Sequence, residues 1–417
     1  MTARATTRRA FLANCAATAA IAAKAQEPGS LPAARALTRG PKFHWFGYYD
    51  KLEFDPSGRY VLGMEVNFEH RSPQAEDRIS IGMADTRGGD AWKEIGTSAA
   101  WSWQQGCMLQ WRPGSSKEIL WNDRDGDRFV CRIFDTSTGK LRTIPKAIYT
   151  IAPDGATAIT CDFRRLNDVR PGYGYAGIPD PAKDELLPKE SGIWSVDLER
   201  GSEALLFSVA DIAKFGEPPP DAKGAKHWFN HLLFSPDGSR FVFLHRWRPV
   251  GQNGFRTRML SADRAGKDLT VVDPSGATSH FIWRDPETLL AWTRPAGRKD
   301  GFYLLHVRRG VSDQVGAGVM TENGHCTYLP DRNWILNDTY PDMRRLQHPY
   351  LFHVPTKARI PLGDFLSPKE YAGEWRCDTH PRFSPDGRTV VIDSPHGGNG
   401  RQLYAIEIGP ILDRIGK

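Results

Sequence analysis

Apolar residues come in short runs along most of the chain, each cut off by a turn rather than repeated at helical spacing. Tyr60-Val61-Leu62, Phe241-Val242-Phe243-Leu244 and Val390-Val391-Ile392 read as strands covered on both faces. Alternating runs follow, such as Gly192-Ile193-Trp194-Ser195-Val196-Asp197, Phe302-Tyr303-Leu304-Leu305-His306-Val307 and Gln402-Leu403-Tyr404-Ala405-Ile406. Their period of two marks further strands. Ahead of each unit stands a turn built on proline. It reads Phe54-Asp55-Pro56-Ser57-Gly58, Trp111-Arg112-Pro113-Gly114, Ala152-Pro153-Asp154-Gly155, Ser235-Pro236-Asp237-Gly238, Arg284-Asp285-Pro286, Leu329-Pro330-Asp331 and Ser384-Pro385-Asp386-Gly387. Proline fixes φ at the first corner, the Asp side chain caps the next amide, and Gly accepts a positive φ.

The turn prolines stand at 56, 113, 153, 236, 286, 330 and 385, so consecutive units are 57, 40, 83, 50, 44 and 55 residues apart. A period of about 40–50 residues with several strands per unit predicts an all-β, seven-bladed β-propeller. The longest step holds an insertion, Arg164 to Trp228, carrying Gly172-Tyr173-Gly174-Tyr175 and Pro218-Pro219-Pro220. An insertion of this kind is expected to be a loop on the ligand face. No long amphipathic helix breaks the pattern, so 43–417 is read as one propeller domain behind a linker, 26–42.

Residues 1–25 are read as a signal peptide and kept out of the fold. Thr7-Arg8-Arg9-Ala10-Phe11-Leu12 has the twin-arginine pattern, an Ala-rich run follows, and Ala23-Lys24-Ala25 offers a cleavage site. The pattern predicts a periplasmic or secreted protein, with no membrane insertion because the run is too short to span a bilayer. Gly 40, Pro 30 and Trp 13 suit many short strands joined by tight turns. A net charge of +6 without a dense Lys/Arg block argues against nucleic acid and permits anionic ligands. The five cysteines after the signal are odd in number and widely spaced, which is no disulfide framework. A monomer is expected.

Aligning the units on their prolines orders the histidines. His231, His325 and His380 each fall five residues before their proline and His280 six before, so four consecutive units carry His at one level. In a propeller such positions ring the channel. A repeat template that simply favours His there is the bland alternative, but it would place His in all seven units. Cys377-Asp378-Thr379-His380 adds a thiol, making His280, His325, Cys377 and His380 a candidate divalent-metal set, with zinc favoured over manganese by the thiol. Cys326 alternates away from His325 and is read as core. In earlier units the same stretch is Tyr48-Tyr49-Asp50 and Gln104-Gln105, so Tyr48, Tyr49 and Gln105, with His44 and His227, are candidate substrate contacts.

From His231 onward the register resembles that of oligogalacturonate lyase, a seven-bladed polysaccharide lyase related by fold to ulvan lyases. Asn230-His231-Leu232-Leu233-Phe234-Ser235-Pro236, Thr278-Ser279-His280-Phe281-Ile282-Trp283 and Thr379-His380-Pro381-Arg382-Phe383 carry the likeness. The resemblance implies β-elimination on a uronate-containing anionic polysaccharide or oligosaccharide, with His231 as proton-abstracting base and His280 and His380 on the metal. Ulvan-type lyases use Tyr and Arg beside His, which points to Tyr173 or Tyr175 as acid and to Arg170 or Arg246 against the carboxylate. A non-catalytic propeller of the TolB kind, binding a protein or glycan partner, is the competing expectation. The absence of a Gly-x-Ser-x-Gly elbow ranks a hydrolase last, and fold alone decides nothing.

Overall fold

The computed structural model describes residues 31–87 and 92–415, so the expected signal peptide lies outside the described residues. Seven four-stranded antiparallel sheets follow one another as the blades of a β-propeller. Blade 1 occupies 43–98, blade 2 110–144, blade 3 150–208, blade 4 226–276, blade 5 281–315, blade 6 327–361 and blade 7 382–407. All seven proline turns join a blade's first strand to its second. In blade 4, Ser235 Oγ donates to Asp237 Oδ1 (2.6 Å), the same oxygen accepts Ser239 N (3.1 Å), and Gly238 sits at φ +69°. A Cβ on Gly238 would come within 3.0 Å of Pro153 in the turn of blade 3, so neighbouring turns nest into each other.

Second strands are buried on both faces because the adjacent blades cover them. Val242, Leu244 and Met259 of blade 4 share one core with Phe281, Leu289 and Leu305 of blade 5. Val391 and Leu403 of blade 7 share another with blade 1 and with Trp111 and Trp121 of blade 2. Cys326 lies in the core between blades 5 and 6, and all five described cysteines are unpaired.

The stretch expected to be linker, 26–42, is not all linker. Ala34–Ala36 pairs antiparallel with Ile406–Tyr404 and forms the outermost strand of blade 7, whose other three strands come from the C-terminal end. A second stitch lies inside the ring. Arg382, buried, donates from Nε to Glu53 Oε2 (2.9 Å) and from Nη2 to Asp393 Oδ1 (2.8 Å), while Asp393 also accepts the amides of Phe46 and Gly47. Burial outweighs the pull of Arg382 and lifts the Glu53 carboxyl to about 7.

The long insertion resolves into two excursions around the last two strands of blade 3. Residues 162–191 leave between its second and third strands and include the helix Phe163–Val169, capped by Asp162. Residues 209–225 leave before blade 4 and include the helix Val209–Lys214 with a Ser208–Asp211 capping box.

Candidate functional site

The site lies at the starts of the first strands of blades 5 to 7 and at a bulge within the first strand of blade 4. In blade 4 the pairing steps from Asn230↔Leu244 to Leu233↔Val242, so His231 and Leu232 together face Phe243. This bulge holds His231 at φ +52°, and His380 in blade 7 stands at φ +39°. Non-glycine residues take such a conformation at a cost of about 1–3 kcal/mol, and here it turns an imidazole inward. Tyr48 and Tyr49 arrive on the excursion 46–59 between the first two strands of blade 1. Tyr48 stacks on His231 (centroids 5.0 Å) and meets His380 edge-on (5.2 Å). The Tyr49 hydroxyl donates to Phe281 O (2.8 Å), and its ring faces His325 (5.4 Å).

His325 is the hub of the cluster. Its ring lies 4.2 Å from those of His280 and His380. Its Nδ1 is 2.9 Å from Asp338, which also accepts the His325 amide and the Thr379 hydroxyl. Burial alone would lower the His325 pKa, but Asp338 outweighs it and raises it. The Nε2 atoms of His325 and His380 are buried with no hydrogen-bond partner. Ligand atoms of His325, Asp378 and His380 lie within 4.8 Å of one another. Two bare imidazole nitrogens beside a carboxylate, with one ring oriented by a second carboxylate, fit a divalent cation. His280 flanks the group, its Nδ1 bound to Asn323 Oδ1 (3.0 Å).

His231 occupies a different environment. Burial, then the charges of Arg246 and Arg170, push its pKa well below the ordinary value, so the ring is neutral. Its amide donates to the Tyr149 hydroxyl (2.8 Å), which in turn donates to Gln105 Oε1 (2.9 Å). Gln105 Nε2 and the Tyr48 hydroxyl approach its ring nitrogens at 3.5 Å, too far to hold either firmly. Beside it, the Tyr173 hydroxyl accepts Arg376 Nη2 (2.8 Å), and Arg376 Nε donates to Asp378 (2.7 Å). Burial would raise the Tyr173 pKa, but Arg376 and Arg170 bring it down to about 7. Arg170 lies 4.1 Å from the Tyr173 ring centroid. Arg246 is buried and has its pKa lowered to about 9 by burial and by Arg170.

Ten of the residues singled out in the sequence therefore converge: His231, Tyr173, Arg170, Arg246, Tyr48, Tyr49, Gln105, His280, His325 and His380. Four stand elsewhere. Tyr175 turns back onto its own helix, stacking on Phe163 (4.2 Å) with its hydroxyl bound by Asn122 (2.9 Å). His44 is clamped between Gln402 (2.9 Å) and Glu65 (3.0 Å). His227 bridges His245 of blade 4 (2.7 Å) and Ala222 O of the excursion 209–225 (2.9 Å). Cys377 contributes nothing to the ligand group; burial pushes its thiol up, and Arg401 is the strongest charge acting on it. Its neighbour Asp378 takes the place assigned to the thiol.

Asp338, Asp378, Arg376 and Tyr149 were missed. A signal existed for Asp338: an acid recurs toward the C-terminal end of second strands, in Asn122-Asp123, Asn337-Asp338 and Ile392-Asp393. Each accepts a backbone amide of an inner segment, from Ala99, His325 and Phe46. Arg376 and Tyr149 carried no such register.

No family model and no curated protein matches the chain. Among solved structures it is similar to an oligogalacturonate lyase from Vibrio parahaemolyticus, with a TM-score of 0.62 at 12% identity, over 89% of this chain and 93% of the other. An oligogalacturonate lyase in complex with manganese gives 0.61 at 12% identity, over 91% and 96%. The β-propeller domain of the Trilobed protease from Pyrococcus furiosus gives 0.50 at 12% identity, over 87% and 96%. At these identities the likeness establishes the shared propeller fold.

Proposed function

We propose that the chain is a polysaccharide lyase that cleaves a uronate-containing anionic glycan by β-elimination. One observation carries the reading: a neutral, strained imidazole, His231, stands among uncompensated guanidiniums beside a cluster built for a cation. His231 removes the C5 proton of the uronate, a role its lowered pKa suits by keeping a lone pair free at neutral pH. Tyr173 protonates the departing O4, its hydroxyl oriented by Arg376. Tyr48 closes the space between His231 and the His cluster. His325, Asp378 and His380, with His280 alongside, would hold a divalent cation, which when bound would supply the positive charge needed against the uronate carboxylate to make the adjacent C–H more acidic. The manganese complex of a structurally similar lyase supports a divalent metal. With carboxylate rather than thiolate in the set, manganese suits it as well as zinc. The twin-arginine pattern of residues 7–12 supports an exported, periplasmic or extracellular, setting for this activity.

The test is to incubate the chain, with Mn²⁺ or Zn²⁺ supplied, with pectin fragments, ulvan and other uronate polymers. Formation of the ultraviolet-absorbing unsaturated uronate is expected. Its absence across the panel would return the chain to the class of binding propellers.

A further inference from the structure

A cavity of about 310 Å³ opens in the seam between blades 2 and 3. The hairpin 127–129 of blade 2, the connection 145–147 and the first residues of the excursion 162–191 line it, with Trp194 and Glu203 from the last two strands of blade 3. None of its lining residues belongs to the cluster around His231 and His325. From its wall inward come Phe163, then Tyr149 stacked on it (5.8 Å), and only then His231, whose amide the Tyr149 hydroxyl accepts. The volume stands at the small end of the range for ligand sites, which suits a small molecule rather than a chain segment.

The inner surface is aromatic. Phe129, Phe163 and Trp194 form its walls, with Cys161 among them. Both faces of Phe163 are already covered, by Tyr175 at 4.2 Å and Tyr149 at 5.8 Å, so only its edge reaches the cavity. An aromatic edge carries partial positive charge and meets the face of another ring or an anionic oxygen.

The charged groups around this surface are unequal. Asp162, buried, is spent on Arg164, accepting its amide (3.0 Å), Nε (2.9 Å) and Nη2 (2.8 Å). Arg164 Nη1 is left without a partner among the described residues. Lys146 Nζ lies 4.0 Å from the Trp194 ring centroid and 3.2 Å from Glu203, with donors to spare. The side chains of Lys146 and Arg164 are 25% and 36% exposed, against 42% for Glu203 and 94% for Asp127. The unspent acids stand further into solvent, where water and salt screen them, so the less hydrated charge is positive.

We propose that this cavity is a binding site for a small aromatic carboxylate, its ring among Phe129, Phe163 and Trp194 and its carboxylate between Lys146 and Arg164. Burial of the ring supplies affinity, and the two cations orient the molecule through charge-assisted hydrogen bonds. The site is independent of the lyase reading, and turnover plays no part in its test.

The experiment is calorimetric titration of the full chain with phenylacetate, acetate, benzyl alcohol and benzylamine. Acetate lacks the ring, benzyl alcohol lacks the charge, and benzylamine reverses it. Phenylacetate should bind roughly ten- to a hundredfold more tightly than each of the others. Lys146→Gln, at a partly exposed position, should weaken phenylacetate binding roughly tenfold, and Arg164→Gln should do the same. Cys161 offers a readout that needs no variant. Phenylacetate should slow its modification by methylmercury, followed by mass spectrometry of the Cys161 peptide, while Cys326 and Cys377 keep their rates. No preference for phenylacetate, equal or tighter binding of benzylamine, affinity unchanged in both variants, or a Cys161 rate untouched by phenylacetate would overturn the site.

Discussion

His231 and Tyr173 lie a ring contact apart (centroids 5.8 Å), and their surroundings pull both pKa values downward. The consequence is a pH profile. His231 acts as base only when neutral, and its lowered pKa keeps that limb well on the acid side. Tyr173 acts as acid only when protonated, so turnover should fall as pH rises through about 7. Tyr173→Phe should lower kcat and remove the alkaline limb, which a pH–rate series checks. His231→Ala should cost roughly a hundred- to ten-thousandfold in kcat/KM with the fold intact. Asp338→Asn should weaken metal binding roughly ten- to a hundredfold by loosening the His325 ring, read by metal titration. At this scale the sequence was informative where the repeat numbers positions, as for the four histidines. It failed where a side chain's direction depends on a loop. Tyr173 and Tyr175 look alike, yet Gly174 packs so tightly on the helix that a Cβ would meet Asn167 N at 2.1 Å. That contact turns Tyr175 into the core and leaves Tyr173 at the channel.

His227, expected at the substrate, instead belongs to a relay that ties the excursion 209–225 to blade 4. Arg258 Nε donates to His245 Nδ1 (3.0 Å), so His245 Nε2 donates to His227 Nδ1, and His227 Nε2 donates to Ala222 O. Every step needs neutral rings, and burial lowers both pKa values, that of His227 to about 4. A His whose folded pKa is depressed contributes stability above its unfolded pKa and loses it as pH falls. Between about pH 6.5 and 4 the loss at His227 should reach about 3 kcal/mol. Denaturant unfolding across that range should show the slope, and His227→Gln should flatten it. The strands and their turns were legible because each carries its own local chemistry. This relay was not, because it joins residues from a loop and two strands that only the fold brings together.

The ring as a whole is held shut by two unlike devices, the three-residue strand Ala34–Ala36 and the ion triad around Arg382. Removing Arg382 leaves two carboxylates buried without a cation, so Arg382→Met should cost about 3–5 kcal/mol in an unfolding experiment. The sevenfold count could be read because proline turns mark every unit. The closing strand could not, since Ala-Arg-Ala has no strand signature and gains its place only from Tyr404, Ala405 and Ile406 opposite it. That strand also sets an order of events during synthesis. Its partners are made about 370 residues after it, so Ala34–Ala36 must wait, unpaired, until Tyr404–Ile406 have emerged. The circle is sealed only once both sides of that seam have been made, and whatever recognises the finished shape must wait for the later side.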